Sequence, residues 1–402
     1  MNRVVITGQG TINALGMDVA STVEAMSNGT CAIGPLEFDN VDRLNIQIGG
    51  QIKGYVAQDH FSRSNIGLYD PFTQYAVIAA NEAISQSGLR FEGELGTCTG
   101  VVLGTAGGGL QTQDQNYRTV YQDGKNRVHP FVVPRLMNNA AASHISIIYG
   151  LKGPSFTVAS ACASSNHAMG QAYNLIRSRM AKVMMTGGSE SMLCFGGIKA
   201  WEGLRVMSPD GCRPFCATRN GMVQGEGAAV FVFEDFDHAK ARGADILAEV
   251  IGFAMTSDAS DIVMPNKDGA ARAIRLALND TGINPEDVGY INAHGTATAM
   301  NDRIECAAIR DALGAAADKV MVSSTKAMHG HLIGGTGGVE LLAAIAAVKD
   351  GMIAPTINHT QNDPDCDLDV VPNIARQERV KVAISNAFAF GGLNAVIALK
   401  AL

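Results

Sequence analysis

The sequence predicts an α/β protein assembled from two similar halves, and three observations lead there. Strand-like and helix-like runs alternate over the whole length, which is the pattern of α/β domains. The order of those runs is alike before and after a helical stretch DFDHAKARGA, and no low-complexity linker separates the two parts. With 402 residues, 47% of them hydrophobic, 45 glycines and only 17% charged residues, the chain has ample material for a closely packed core.

In order, RVVITG at 3–8 reads as a first strand and 22–28 as part of a helix. The run 70–87 is a strong helix, with Pro71 suited to its first turn and Gly88 to its end. A buried strand at 99–103 enters the glycine-rich turn 104–109, which lacks the Lys-Ser/Thr ending of a phosphate-binding loop and reads instead as close backbone packing. After the central stretch come a strand at 182–188 and a loop rich in Met, Cys and Gly that holds Trp201, the only tryptophan. A glycine turn and strand at 221–234 lead to the helical seam. Strand 246–253, helix 269–280, strand 288–293, helix 303–313, strand 320–324, helix 338–349 and closing strands 380–385 and 394–400 complete the second half.

The central stretch is 155–179. Phe156–Ala159 suits a buried strand. Apolar residues at Ala168, Met169, Ala172, Tyr173, Leu175 and Ile176 then recur at helical spacing, so Cys162 falls on a strand-to-helix turn. A helix N-terminus there favours thiolate over thiol. The residues themselves fit either a nucleophile or a small buried hydrophobe. His294 and His331 each follow a strand and lie among small residues, and open α/β sheets place ligands at such strand ends. Together with a turn-borne cysteine they make a nucleophile and acid/base set. A third strand end, 385–392, supplies a glycine-flexed turn whose backbone N–H groups can hold an oxyanion.

A net charge of −7 excludes nucleic-acid binding through a broad basic surface. Eight irregularly spaced cysteines are no disulfide framework, and CRPFC at 212–216 lacks a second ligand pair for a metal. The N-terminal run has no signal-peptide anatomy and no apolar run is long enough to span a membrane, so a cytoplasmic protein in a reducing compartment is expected.

Four motifs, ACASS at 161–165, NAHGT at 292–296, SSTKAMHGH at 323–331 and SNAFAFGG at 385–392, occur in the order found in the β-ketoacyl-[acyl-carrier-protein] synthases, which the chain resembles from RVVITG to its last strand. The resemblance implies the thiolase-like fold, a duplicated αβαβα layering with mixed five-stranded sheets. It divides the chain into 1–245, bearing the nucleophile, and 246–402, bearing two histidines and a gating loop. It implies that Cys162 takes an acyl chain from acyl carrier protein. His294 and His331 then assist decarboxylation of malonyl-carrier protein, and the backbone N–H groups of Cys162 and Phe390 form the oxyanion hole. Lys326, with Glu340 as partner, is a supporting residue or a structural ion pair. Thr296 and Thr298 correspond to residues that bind the phosphopantetheine arm, Trp201 to a tunnel-lining aromatic, Phe388 to a substrate-binding residue and Phe390 to the gate. No metal or redox cofactor is implied, because the substrates ride on the carrier's phosphopantetheine. Arg63, Lys125, Arg127 and Arg205 are the candidate carrier-protein surface. A homodimer is expected, with a heterodimer with a related synthase as the alternative assembly.

Departures from the family pattern add expectations. Ala389 replaces a glycine and should stiffen the gate. Gly107 replaces a bulky aliphatic residue and should deepen the acyl pocket. His329 replaces a Thr or Ser. KAWEGLRV, CRPF and PDCDLDV are similar to a specialised subgroup that includes nodulation protein E. A non-catalytic chain-length-factor-like subunit and a thiolase-type acyl-CoA enzyme are the competing readings. The first typically lacks the cysteine, and the second carries another cysteine near the C-terminus, where 386–394 has none.

Overall fold

The computed structural model describes residues 1–402, apart from the side chain of residue 281. Ten strands form one mixed sheet. In the first half these are β1 (Val4–Asn13), β2 (Thr99–Gly104), β3 (Ser155–Val158), β4 (Val183–Glu190) and β5 (Gly227–Asp235). In the second they are β6 (Ala248–Ser257), β7 (Val288–Asn292), β8 (Met321–Ser323), β9 (Val382–Ala389) and β10 (Leu393–Lys400). The order across the sheet is β8-β7-β9-β10-β6-β1-β5-β4-β2-β3. Read inward from either edge, both halves run parallel, parallel, antiparallel, antiparallel. The duplication seen as a similar order of elements is therefore a matched pair of five-stranded sheets. They are joined by one short antiparallel ladder, Val4–Ile6 against Ala248–Val250.

Two helices fill the middle layer. α1 (Ser164–Arg177) follows the Cys162 turn, and α2 (Thr336–Asp350) packs beside it. Every residue of α2 from Thr336 to Val348 is buried, as expected of a helix apolar on all sides. Glu340 is the one ionisable side chain in that stretch. Pro71–Ser87 covers the outer face of the first sheet, and Lys267–Thr281 with Ala299–Leu313 covers that of the second. Three hydrophobic clusters match these layers, one central and one outside each sheet. The order is αβαβα, as anticipated. The helix 71–87 begins with Pro71 after an Asp70 cap and stops at Gly88, whose φ of 67° suits glycine.

Several local expectations change. Trp201 lies in a helix, Phe195–Glu202, rather than a loop. β9 continues through Ala389, so the flexed segment is only Phe390–Gly392, a tight hairpin turn into β10. Ala389 is strand, and the positive φ angles belong to Gly391 and Gly392. The methyl of Ala389 therefore does not stiffen the turn in the way expected. The two sheet edges also differ. β8 is covered, with Val322 N–H donating to Asp369 O at 2.8 Å. β3 pairs only with β2, and Phe156 on it is exposed.

Candidate active site

Cys162 stands on a pinned turn between β3 and α1. Ala161 before it has φ of 48°, a left-handed conformation that a non-glycine residue adopts only under constraint. The constraint is visible. Ser160 N–H donates to Ser164 Oγ at 2.9 Å, and that hydroxyl donates to Ala161 O at 2.7 Å. Gly104, ending β2, allows the close approach, since a Cβ there would fall 2.3 Å from the Ser164 carbonyl carbon.

His294 follows β7 on a turn held by carboxylates from the helix after it. The N–H groups of His294 and Gly295 donate to Glu305 at 2.8 and 2.7 Å, and Ala297 N–H to Asp302 at 3.1 Å. Both acids are buried in the first two turns of Ala299–Leu313. Sequence reasoning missed both: it began that helix at residue 303, which left Asp302 outside, and it gave Glu305 inside the helix no role. The spacing i, i+3 in a helix that follows NAHGT was the available signal. His331 is fixed by its backbone, which exchanges bonds with Val223 O at 2.7 Å and Gly225 N–H at 2.9 Å. Its Nδ1 pairs with Thr336 Oγ1 at 2.8 Å, and its Nε2 is buried with no partner.

The three side chains converge. The Cys162 Sγ and one ring nitrogen of each histidine lie within 4.8 Å of one another, all buried. The two rings meet edge to face, centroids 5.5 Å apart. They sit at the base of a cavity of about 300 Å³ whose wall includes Trp201, Arg205, Thr296, Thr298, Phe388 and Phe390. The Thr296 and Thr298 hydroxyls are 3.0 Å apart, and Trp201 stacks on Phe390 at 5.9 Å between centroids. Behind the histidines, buried Lys326 donates to both Glu340 and the carbonyl of His294.

Burial dominates the protonation of this site. It pushes the Cys162 thiol up to about 12, against the opposing charge of Lys326 and the N–H groups of Phe390 and Cys162 itself. This corrects the expected resting thiolate. The helix begins only at Ser164, and the few donors near the sulfur do not offset its removal from water. Burial, then Lys326, then the other histidine hold His294 well below its ordinary value. Burial, Lys326 and His329 do the same for His331, so both rings are neutral near pH 7. Burial raises Glu340 to about 7 despite Lys326. His329, buried against Thr325 and Gly330 O, is pushed down to about 3 by burial and Lys326.

Gly107 is not part of the cavity wall. A Cβ there would meet the Met192 methyl at 2.4 Å, so the space expected to deepen the pocket is already filled by a flexible side chain from the loop after β4. Met192 left no mark in the sequence pattern. Arg63, Lys125 and Arg127 lie outside the cavity and are exposed. His129 comes within 3.9 Å of where a Gly67 Cβ would stand, so the segment holding Lys125 and Arg127 lies beside the helix that starts at Arg63. Arg205, unlike them, lines the cavity.

Comparison with known proteins adds the following. Residues 1–239 match the family description "Beta-ketoacyl synthase, N-terminal domain" and 247–360 "Beta-ketoacyl synthase, C-terminal domain". The chain is 44% identical over 398 residues to nodulation protein E of Rhizobium sp. (strain N33), covering 99% of each. It is 38% identical over 405 residues to 3-oxoacyl-[acyl-carrier-protein] synthase 2 of Staphylococcus aureus (strain N315), covering 99% of this chain and 98% of that one. Among solved structures it is similar to the ishigamide ketosynthase/chain length factor, at 32% identity and a TM-score of 0.95 over 100% of this chain and 99% of that one.

Proposed function

Because the chain belongs to the β-ketoacyl synthase family, and with it to the condensing acyltransferases, we propose that it joins an acyl chain held on Cys162 to malonyl-carrier protein. The observation that carries this reading is the convergence of Cys162, His294 and His331 at the base of one cavity. Cys162 attacks the thioester of an acyl-carrier protein, and the tetrahedral oxyanion meets the N–H groups of Cys162 and Phe390. The carrier leaves as its free thiol with the proton from Cys162. Malonyl-carrier protein then enters past Thr296 and Thr298, which hold its phosphopantetheine arm, and loses CO2. Ring N–H groups of His294 and His331 stabilise the enolate oxygen as charge develops on it, an interaction made only along the reaction path. The enolate carbon attacks the acyl-cysteine, the thiolate leaves and takes up a proton, and a 3-ketoacyl-carrier protein two carbons longer departs. Lys326 and Glu340 position His294 from behind, and Phe388 and Phe390, with Trp201, border the approach to the sulfur. The nucleophile belongs to a domain 1–245 and both histidines to a domain 246–402.

The carrier-protein surface comprises Arg63, Lys125 and Arg127 with Arg205 at the cavity, a basic arrangement suited to an acidic partner. Assembly as a homodimer is part of the same reading. Its support is the bare outer edge of β3, which pairs only with β2 and exposes Phe156. The solved relative described as a ketosynthase/chain length factor supports a heterodimer as the other arrangement. No helix among the described residues is long and apolar enough to cross a membrane. A cytoplasmic setting keeps the nucleophilic thiol reduced, and no metal or redox cofactor enters the proposed steps.

The test is intact-protein mass after mixing wild type and Cys162→Ala with acyl-carrier proteins of graded chain length, followed by malonyl-carrier protein. A cysteine-dependent adduct discharged as a 3-ketoacyl product is the expected result. No adduct with any chain length would overturn the stand-alone synthase.

A further inference from the structure

The geometry that brings a sulfur and two imidazoles together also describes a metal cradle. We infer that Cys162, His294 and His331 form a three-ligand site for a thiophilic divalent cation such as Zn2+, and that its occupancy blocks acyl loading. Zn2+ sites take Cys and His ligands at about 2.3 and 2.0–2.1 Å in tetrahedral geometry. That geometry places donor atoms roughly 3.3–3.6 Å apart, and these three already lie within 4.8 Å of one another.

A second observation is independent of the clustering. His331 Nε2 is buried with no hydrogen-bond partner, while Nδ1 pairs with Thr336 Oγ1 at 2.8 Å. The threonine hydroxyl can either donate or accept. As acceptor from Nδ1–H it leaves the Nε2 lone pair free for a cation, the outer-shell arrangement typical of metal-bound histidine. As donor to Nδ1 it leaves Nε2–H for an enolate. One ring thus serves both states without moving, and its backbone is pinned by Val223 and Gly225. The charges around the ligands are Lys326, paired with Glu340, and the buried carboxylates of Glu190 and Glu305. All three ligands line the cavity, so a fourth position would be left to water.

Binding exchanges one proton: the Cys162 S–H bond breaks, a metal–thiolate bond forms, and the proton passes to solvent. A thioester sulfur is a poor ligand, so metal and acyl group compete for one atom. The site acts as a reversible cap on an idle nucleophile.

The experiment uses Co2+ as a spectroscopic probe on the full chain, then Zn2+ in competition. One Co2+ per chain is expected, with a thiolate-to-cobalt charge-transfer band and intense tetrahedral visible bands. Both should vanish in Cys162→Ala and His331→Ala, each checked for an unchanged melting profile without metal. Thr336→Val keeps all three ligands and should weaken binding by roughly 10–100-fold. The other seven cysteines are the rival source of a signal. Bands that survive in Cys162→Ala, no bands in wild type, or full affinity in Thr336→Val would each overturn the assignment. These readings need no substrate, so their failure is distinct from failure of the synthase reading. Zn2+ should slow acyl loading in step with occupancy, and loading indifferent to bound Zn2+ refutes the block.

Discussion

Replacing Lys326 by methionine separates its two duties. The ammonium is completely buried and bonded to Glu340, itself 1% exposed, and to the carbonyl of His294. Removing one member of such a pair strands a buried carboxylate, at a cost of about 3–5 kcal/mol. At about 2.1 cal/mol/K per residue, a 402-residue chain unfolds with an entropy of about 0.8 kcal/mol/K. The single variant should therefore melt roughly 4–6 °C lower. Pairing Lys326→Met with Glu340→Met replaces the ion pair with apolar side chains of similar length, an exchange that is often neutral. The double variant should regain most of the melting temperature. Condensation should not return with it, because the donor to the His294 carbonyl is gone, and with it the charge that adds to burial in holding both histidines neutral. Calorimetry and a carbon-dioxide release assay on wild type and the two variants test this. A single variant that melts within about 1 °C of wild type, or a double variant that turns over normally, would refute the reasoning.

Three further outcomes are expected. His329 has its folded pKa pushed down to about 3 from 6.5, so the unfolded chain binds the proton first as pH falls. Stability is full above pH 6.5 and is lost between 6.5 and about 3, by up to about 1.4 kcal/mol per pH unit; melting of His329→Gln should depend less steeply on pH in that window, and equal slopes would count against a buried neutral ring. Glu305→Gln leaves two backbone donors facing one acceptor at a cost of about 1–3 kcal/mol, and by loosening His294 it should lower kcat more than it raises KM; steady-state kinetics showing only a KM change would contradict the positioning role. Met192→Ala empties the space beside Gly107 at about 2–5 kcal/mol of stability, and thermal melting unchanged from wild type would show that the methionine does not fill that space.

Much of the site was legible because its residues sit where strands end. β7 and β8 are short apolar runs that stop in small residues, and that change of pattern marks His294 and His331 before any fold is known. Cys162 was legible for the same reason, with the helical period of α1 following it. Its protonation was not, because desolvation depends on what packs over the sulfur from the other half of the chain. Met192 escaped notice since a methionine in an irregular loop carries no period, and which glycine it fills is a matter of tertiary contact. Ala389 misled because an alanine-for-glycine exchange was read as a loop event at a position that pairs with Leu393 in a strand. The joining of the two sheets rests on a three-residue ladder, too short to leave any trace in composition or spacing.

That ladder has a consequence during synthesis. The sulfur is encoded in the first half, and both imidazoles in the second, 132 and 169 positions later in the chain. As the protein leaves the ribosome, Cys162 emerges while the groups that complete its chemistry are still untranslated. The full set of one sulfur and two imidazoles therefore exists only once the second half has been made and its strands lie against β1.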